Sequence, residues 1–108
     1  MSWSERRKAQ NEVVTRALNE RDIRLENPRN GSELIDLRCE CSSAACGTKV
    51  WISRDQYETV RGDSMAFVLF RGHEDPTIER VILLNPRFIV VEKQGDAAVI
   101  ADQTDPRD

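Results

Sequence analysis

The hydrophobic positions of this chain fall into short blocks separated by breakers, and each block has its own period. From Ser2 to about Glu26 there is no Gly or Pro, and Ser2 followed by Glu5 has capping-box spacing, which predicts a helix. Its apolar positions Trp3, Val14, Ala17, Leu18 and Leu25 form a thin stripe. Arg6, Arg7, Lys8, Glu12, Arg16, Glu20, Arg21 and Asp22 are expected to solvate the remaining faces. A helix with so little apolar surface needs a partner, either its own domain or another chain. Asn27-Pro28-Arg29-Asn30-Gly31-Ser32 then stops it.

Leu34 to Cys39 alternates, with Ile35, Leu37 and Cys39 on one face and Asp36 and Arg38 on the other, as in a half-buried strand. Lys49-Val50-Trp51-Ile52 predicts a second strand, giving a hairpin whose tip is the cysteine segment. Ser53 and Gln56 form a second capping box, with Ile52 and Tyr57 placed as a hydrophobic staple. The short helix runs to about Arg61, where Gly62 is expected to be left-handed. Ala66 to Phe70 is β-like, and Ile78 to Leu84 is a strand or a buried short helix. Phe88–Lys93 and Ala97–Ala101 flank Gln94-Gly95-Asp96 as a hairpin. The polar end is expected to be loose.

This pattern gives an α+β fold. Residues 1–26 form an N-terminal helix, 27–33 a turn or linker, 34–102 a compact, mainly antiparallel β-sheet domain with one short helix and a metal-stapled hairpin, and 103–108 a flexible tail. A length of 108 residues fits one domain. The net charge of −3 disfavours nonspecific binding to a phosphate backbone. No apolar run approaches the roughly 20 residues of a bilayer span, and the start MSWSERRKAQNE has no apolar core of a signal peptide, so a cytoplasmic protein is expected. In a reducing compartment, clustered cysteines point to metal or redox chemistry before disulfides.

All three cysteines lie between Cys39 and Cys46. Cys39 and Cys41 are two apart, so on an extended backbone both thiols leave the same face and can grip one ion. The small residues Ser42-Ser43-Ala44-Ala45 let a tight loop bring amides close to thiolates. The single histidine, His73, sits in a polar loop between Arg71 and Pro76 and is expected to be displayed. Cys39, Cys41, Cys46 and His73 together make a closed tetrahedral zinc set. The same residues would also serve a thiol or iron–sulfur redox sensor, or could be small buried hydrophobes beside a surface imidazole. Glu40, Glu74 and Asp75 are the carboxylates available as a general base, but no deaminase, nucleotide-binding, hydrolase or metalloprotease signature accompanies them, which points to a non-enzymatic role.

The strings Cys39-Glu40-Cys41, Tyr57-Glu58-Thr59-Val60-Arg61, Gly72-His73-Glu74, Val90 to Ala98 and Asp105-Pro106-Arg107 resemble a family of short uncharacterised actinobacterial proteins with a C-E-C…C…G-H zinc-binding pattern. The likeness spans roughly residues 34 to 107. It implies Cys39, Cys41, Cys46 and His73 as the shared ligand set and supplies no activity. The favoured expectation is a small zinc-binding module acting as a protein-interaction or regulatory adaptor, with a protein partner docking on Trp3, Val14 and Leu18. A redox sensor is the alternative. Nucleic-acid binding through Arg6, Arg7, Lys8, Arg16, Arg21 and Arg24 is a further one, weakened by the interleaved acidic residues. Trp51 and Tyr57 are assigned to the core.

Overall fold

The computed structural model describes residues 3–26, 31–43 and 45–107. Helix α1 spans Trp3–Glu26, β1 Leu34–Arg38, β2 Lys49–Ser53, α2 Arg54–Val60, β3 Ala66–Leu69, β4 Glu79–Leu84, β5 Ile89–Lys93 and α3 Gly95–Gln103. The fold is α+β, with two small antiparallel sheets: the β1–β2 hairpin, and a three-stranded sheet in the order β3-β5-β4. The cap of Ser2 and residues 27–30 of the expected turn lie outside the described residues.

The hairpin follows the alternation in the sequence. Ile35 pairs with Ile52 and Leu37 with Val50, so four aliphatic side chains enter the core together while Asp36 and Trp51, also paired, stay outside. Trp51 is therefore 53% exposed, a correction to its core assignment that follows from its parity in the strand; Tyr57 is buried as expected. Ser53 caps α2 with a complete capping box: its hydroxyl accepts from the Gln56 amide, and the Gln56 side chain accepts from the Ser53 amide. Gly62 does not take the left-handed conformation. Arg61 ends the helix with right-handed φ −72°, ψ −4°; its amide donates to the Tyr57 carbonyl at 2.9 Å, and the Gly62 amide donates to the Thr59 carbonyl at 3.2 Å.

The hairpin expected over 88–101 is replaced by β5 followed by α3. Gly95, with φ +59°, turns the chain after β5. Ala97 and Ala101 are then buried at helical spacing, with Ile100 partly buried beside them, while Val99 is 52% exposed. Strand alternation would have put Ala97, Val99 and Ala101 on one face. Strand β4 is the sheet's free edge, and Val81, Ile82, Leu83 and Leu84 are exposed along it, with a register irregularity at Ile82.

The largest departure is in α1. Its apolar stripe faces outward: Trp3 and Leu25 are each 74% exposed and Val14 is 59% exposed. The buried face is instead Ala9, Glu12, Arg16, Asn19, Glu20 and Ile23, most of them polar residues expected in solvent. Arg16 donates to the Ser64 carbonyl at 2.5 Å and the Ala101 carbonyl at 2.8 Å, and lies 4.3 Å over the Phe67 ring. Glu12 and Glu79 both face the buried ammonium of Lys93. The tail is also tied down. Asp105 pairs with Arg61, and Arg107 reaches Glu20 at 2.7 Å and Glu58 at 2.6 Å, so 103–107 is held by charge, not left loose. Among the described residues no helix is long and apolar enough to cross a membrane.

Candidate metal centre

The segment after β1 remains extended and joins the two sheets. The Cys39 amide donates to the Thr48 carbonyl at 3.1 Å, continuing the hairpin by one step, and the Glu40 amide donates to the Val68 carbonyl at 2.9 Å, linking it to β3. Alternation along this stretch sends the Cys39 and Cys41 thiols to one side and the Glu40 carboxylate to the other. The chain returns through a turn closed by the Cys46 amide on the Ser43 carbonyl at 3.2 Å. His73 arrives from beyond β3 on a turn closed by its own amide on the Phe70 carbonyl at 3.1 Å. Gly72, third in that turn, has φ +88°, the left-handed value a type II turn requires there.

These paths converge. The Cys39, Cys41 and Cys46 sulfurs and a His73 ring nitrogen all lie within 4.8 Å of one another. Tetrahedral legs of about 2.3 Å to sulfur and 2.0–2.1 Å to nitrogen place the two atoms about 3.5–3.6 Å apart. His73 Nδ1 is 3.5 Å from Cys39 Sγ and 3.6 Å from Cys46 Sγ. Cys39 and Cys41 are buried, while Cys46 and His73 are half-buried against an open cavity of 370 Å³. His73 is thus packed into the cluster, its ring tilted 58° to Phe70 at 5.3 Å, and not displayed as expected from its polar loop.

The electrostatics suit a cation. Burial pushes the Cys39 thiol far above its ordinary value, only partly opposed by the Phe70 amide, which donates to its sulfur at 3.2 Å. Burial also raises Cys41. Cys46 resists burial differently: hydrogen bonds from the Thr48 amide and hydroxyl, then from Cys41 and His73, bring it down to about 7. Three sulfurs this close cannot all ionise without a positive charge among them, which a divalent ion would supply.

Glu40 was the residue whose role the sequence hid. Instead of standing beside the thiols as a base, it is fully buried behind them and bound on all sides. The Val68 amide donates to one oxygen at 2.9 Å; the Tyr57 hydroxyl at 2.8 Å and the Asn19 amide at 2.9 Å donate to the other. Burial still holds its carboxyl above the usual carboxylate range. Asn19 also clamps the Arg38 backbone, donating to its carbonyl at 2.9 Å and accepting from its amide at 3.0 Å, and Asn11 donates to the Ser42 carbonyl at 3.0 Å. Helix α1 therefore grips the cysteine segment on both sides. The only sequence signal for this was the parity of Glu40, opposite two cysteines in an extended run. Of the other carboxylates considered as bases, Asp75 is engaged with Lys8 at 2.7 Å and Glu74 is exposed.

Compared with known proteins, the chain matches no family model, no curated protein and no solved structure. The site geometry therefore carries the functional reading.

Proposed function

We propose that this chain is a small, non-enzymatic zinc-binding module. The ion is held by Cys39, Cys41, Cys46 and His73 and ties the β1–β2 loop to the turn after β3. The observation that carries this is the convergence of three sulfurs and one imidazole nitrogen within 4.8 Å, with sulfur–nitrogen edges of 3.5 and 3.6 Å. Edges of that length favour a single ion over an iron–sulfur cluster, which spreads its ligands over more than one iron. A soft donor set that fills four positions favours zinc in a structural role. The module would act through a protein partner. Val14 and Leu18, exposed or half-exposed on α1, line a 300 Å³ cavity that also reaches Cys46, which supports that side as the contact surface.

Elemental analysis with an absorption spectrum of the chain purified without added metal tests this. One zinc per chain and no visible colour is expected, and chelation should lower the melting temperature because the site forms only with the fold. Cys39→Ser and His73→Ala should lose metal and stability together. A brown iron chromophore, or full thermal stability after chelation, overturns the proposal.

A further inference from the structure

The four ligands are not equally sheltered. Cys39 is 3% exposed, is locked into the hairpin by its own amide, and carries the Phe70 amide on its sulfur. Cys41 is 4% exposed. Cys46 alone among the thiols is half-buried; it borders a cavity of 370 Å³ together with Cys41, His73 and Thr48, and it is the one cysteine that also lines a second cavity, of 300 Å³, with Val14 and Leu18. Either exceeds the roughly 30 Å³ that one water occupies in the liquid, so each has room for a molecule of peroxide size beside Cys46. Access then decides which of the three cysteines is oxidised first.

A resolving thiol is also in place. Cys41 and Cys46 are separated by four residues and their sulfurs already lie within 4.8 Å, so a bond of about 2.05 Å asks only for movement of a short loop. Cys39 with Cys41 would close a strained ring, and Cys39 with Cys46 would pull Cys39 out of the ladder it shares with Thr48.

Resting on the zinc reading above, we infer that Cys46 is an oxidation site through which a peroxide empties the metal centre. The Cys46 thiolate attacks one oxygen of hydrogen peroxide, the O–O bond breaks, and hydroxide leaves, giving a sulfenic acid. The Cys41 thiolate then attacks that sulfur, the S–O bond breaks, and a second hydroxide leaves with the Cys41–Cys46 disulfide formed. The two sulfurs give up two electrons and the peroxide accepts them. Two of four ligands are lost, so the ion leaves, and a dithiol reductant restores the site.

The test uses the full chain loaded with zinc, its metal content measured first. Hydrogen peroxide is added in the presence of a chromogenic zinc chelator. One equivalent is expected to release the ion as the Cys41–Cys46 disulfide appears by mass spectrometry, and dithiothreitol with added zinc should reverse both. A dimedone trap at partial oxidation should mark Cys46 first in the unaltered protein. First modification at Cys39 or Cys41, a Cys39–Cys46 disulfide, or zinc retained at a peroxide dose that oxidises free cysteine overturns the inference. A chain that never binds zinc fails at the first measurement and removes the reading on which the inference rests.

Discussion

Two of the buried carboxylate sites that hold this small fold together solve the same problem in opposite ways. Glu40 is surrounded by neutral donors, one each from α1, α2 and β3, with both oxygens used. The site at Lys93 is built from ionisable groups: two carboxyls, Glu12 from α1 and Glu79 from β4, face one amine from β5 above the Phe67 ring, where burial raises Glu79 to about 7 and lowers Lys93 to about 7. Neither Glu12 oxygen has hydrogen-bond geometry, although it faces Lys93 as an ion pair. Dipoles aimed from three elements fix one position and so orient the neighbouring cysteines. Ionisable groups in a dry pocket attract strongly when charged, but burial opposes their charging, so that site anchors α1 at a cost set by protonation.

The comparison breaks most visibly at the ammonium. Lys93→Met leaves two carboxylates facing each other in the interior and is expected to cost about 3–5 kcal/mol in urea unfolding. Adding Glu12→Leu and Glu79→Gln to it should recover most of that loss, because an apolar replacement of a whole buried ion cluster is close to neutral. No recovery would mean that the charges specify the docking of α1 rather than merely tolerate it.

Glu40→Gln probes the other site. It keeps the shape but turns an amide group toward either the Val68 amide or the Asn19 and Tyr57 donors, leaving at least one donor unpaired, for an expected loss of about 1–3 kcal/mol. If Glu40 positions the cysteines, zinc affinity measured by chelator competition should fall as well, and the loss should exceed that in a Glu79→Gln control.

The Lys93 site should also respond to pH. Burial raises the Glu79 carboxyl from 4.5 to about 7, helped by the charges of Asp75 and Glu74 and opposed by the Asp75 amide that donates to it. The folded state thus holds this proton more tightly than the unfolded chain. Its stabilising contribution is complete below about 4.5 and is lost as pH rises through about 7. Between pH 4.5 and 7.5 the protein should lose about 1–3 kcal/mol relative to Glu79→Gln, the nearby ammonium limiting the effect. Parallel pH profiles for the two proteins would contradict it.

The smallest effect is expected where the sequence placed the contact face of α1. Trp3→Ala and Leu25→Ala should each change stability by no more than about 0.5 kcal/mol, since both side chains are 74% exposed. Larger losses in thermal unfolding would show that the polar face is not the whole of the docking.

Local chemistry was enough to read most of the chain from its sequence. Alternation in Leu34–Arg38, the capping box at Ser53 and the block Ile89–Lys93 each declare an element whose period and ends lie within a few residues. The grouping of Cys39, Cys41, Cys46 and His73 was legible too, because thiols and an imidazole have few other uses in such a cluster. What failed were decisions made by distant neighbours. Ala97–Ala101 fits a strand or a helix by composition, and burial of Ala97 and Ala101 chose the helix. Glu12, Arg16 and Asn19 look solvated in sequence because their partners stand far along the chain: Lys93 for the first, the Ser64 and Ala101 carbonyls for the second, Glu40 and Arg38 for the third. A polar residue reveals its preference for the interior only once a compensating partner is in place, and that pairing exists only in three dimensions. The sequence by itself therefore determined most of the elements and the four residues of the candidate site, and the tertiary structure decided that Gly95–Gln103 is a helix, which face of α1 is inside, and that Glu40 stands behind the cysteine cluster instead of in it.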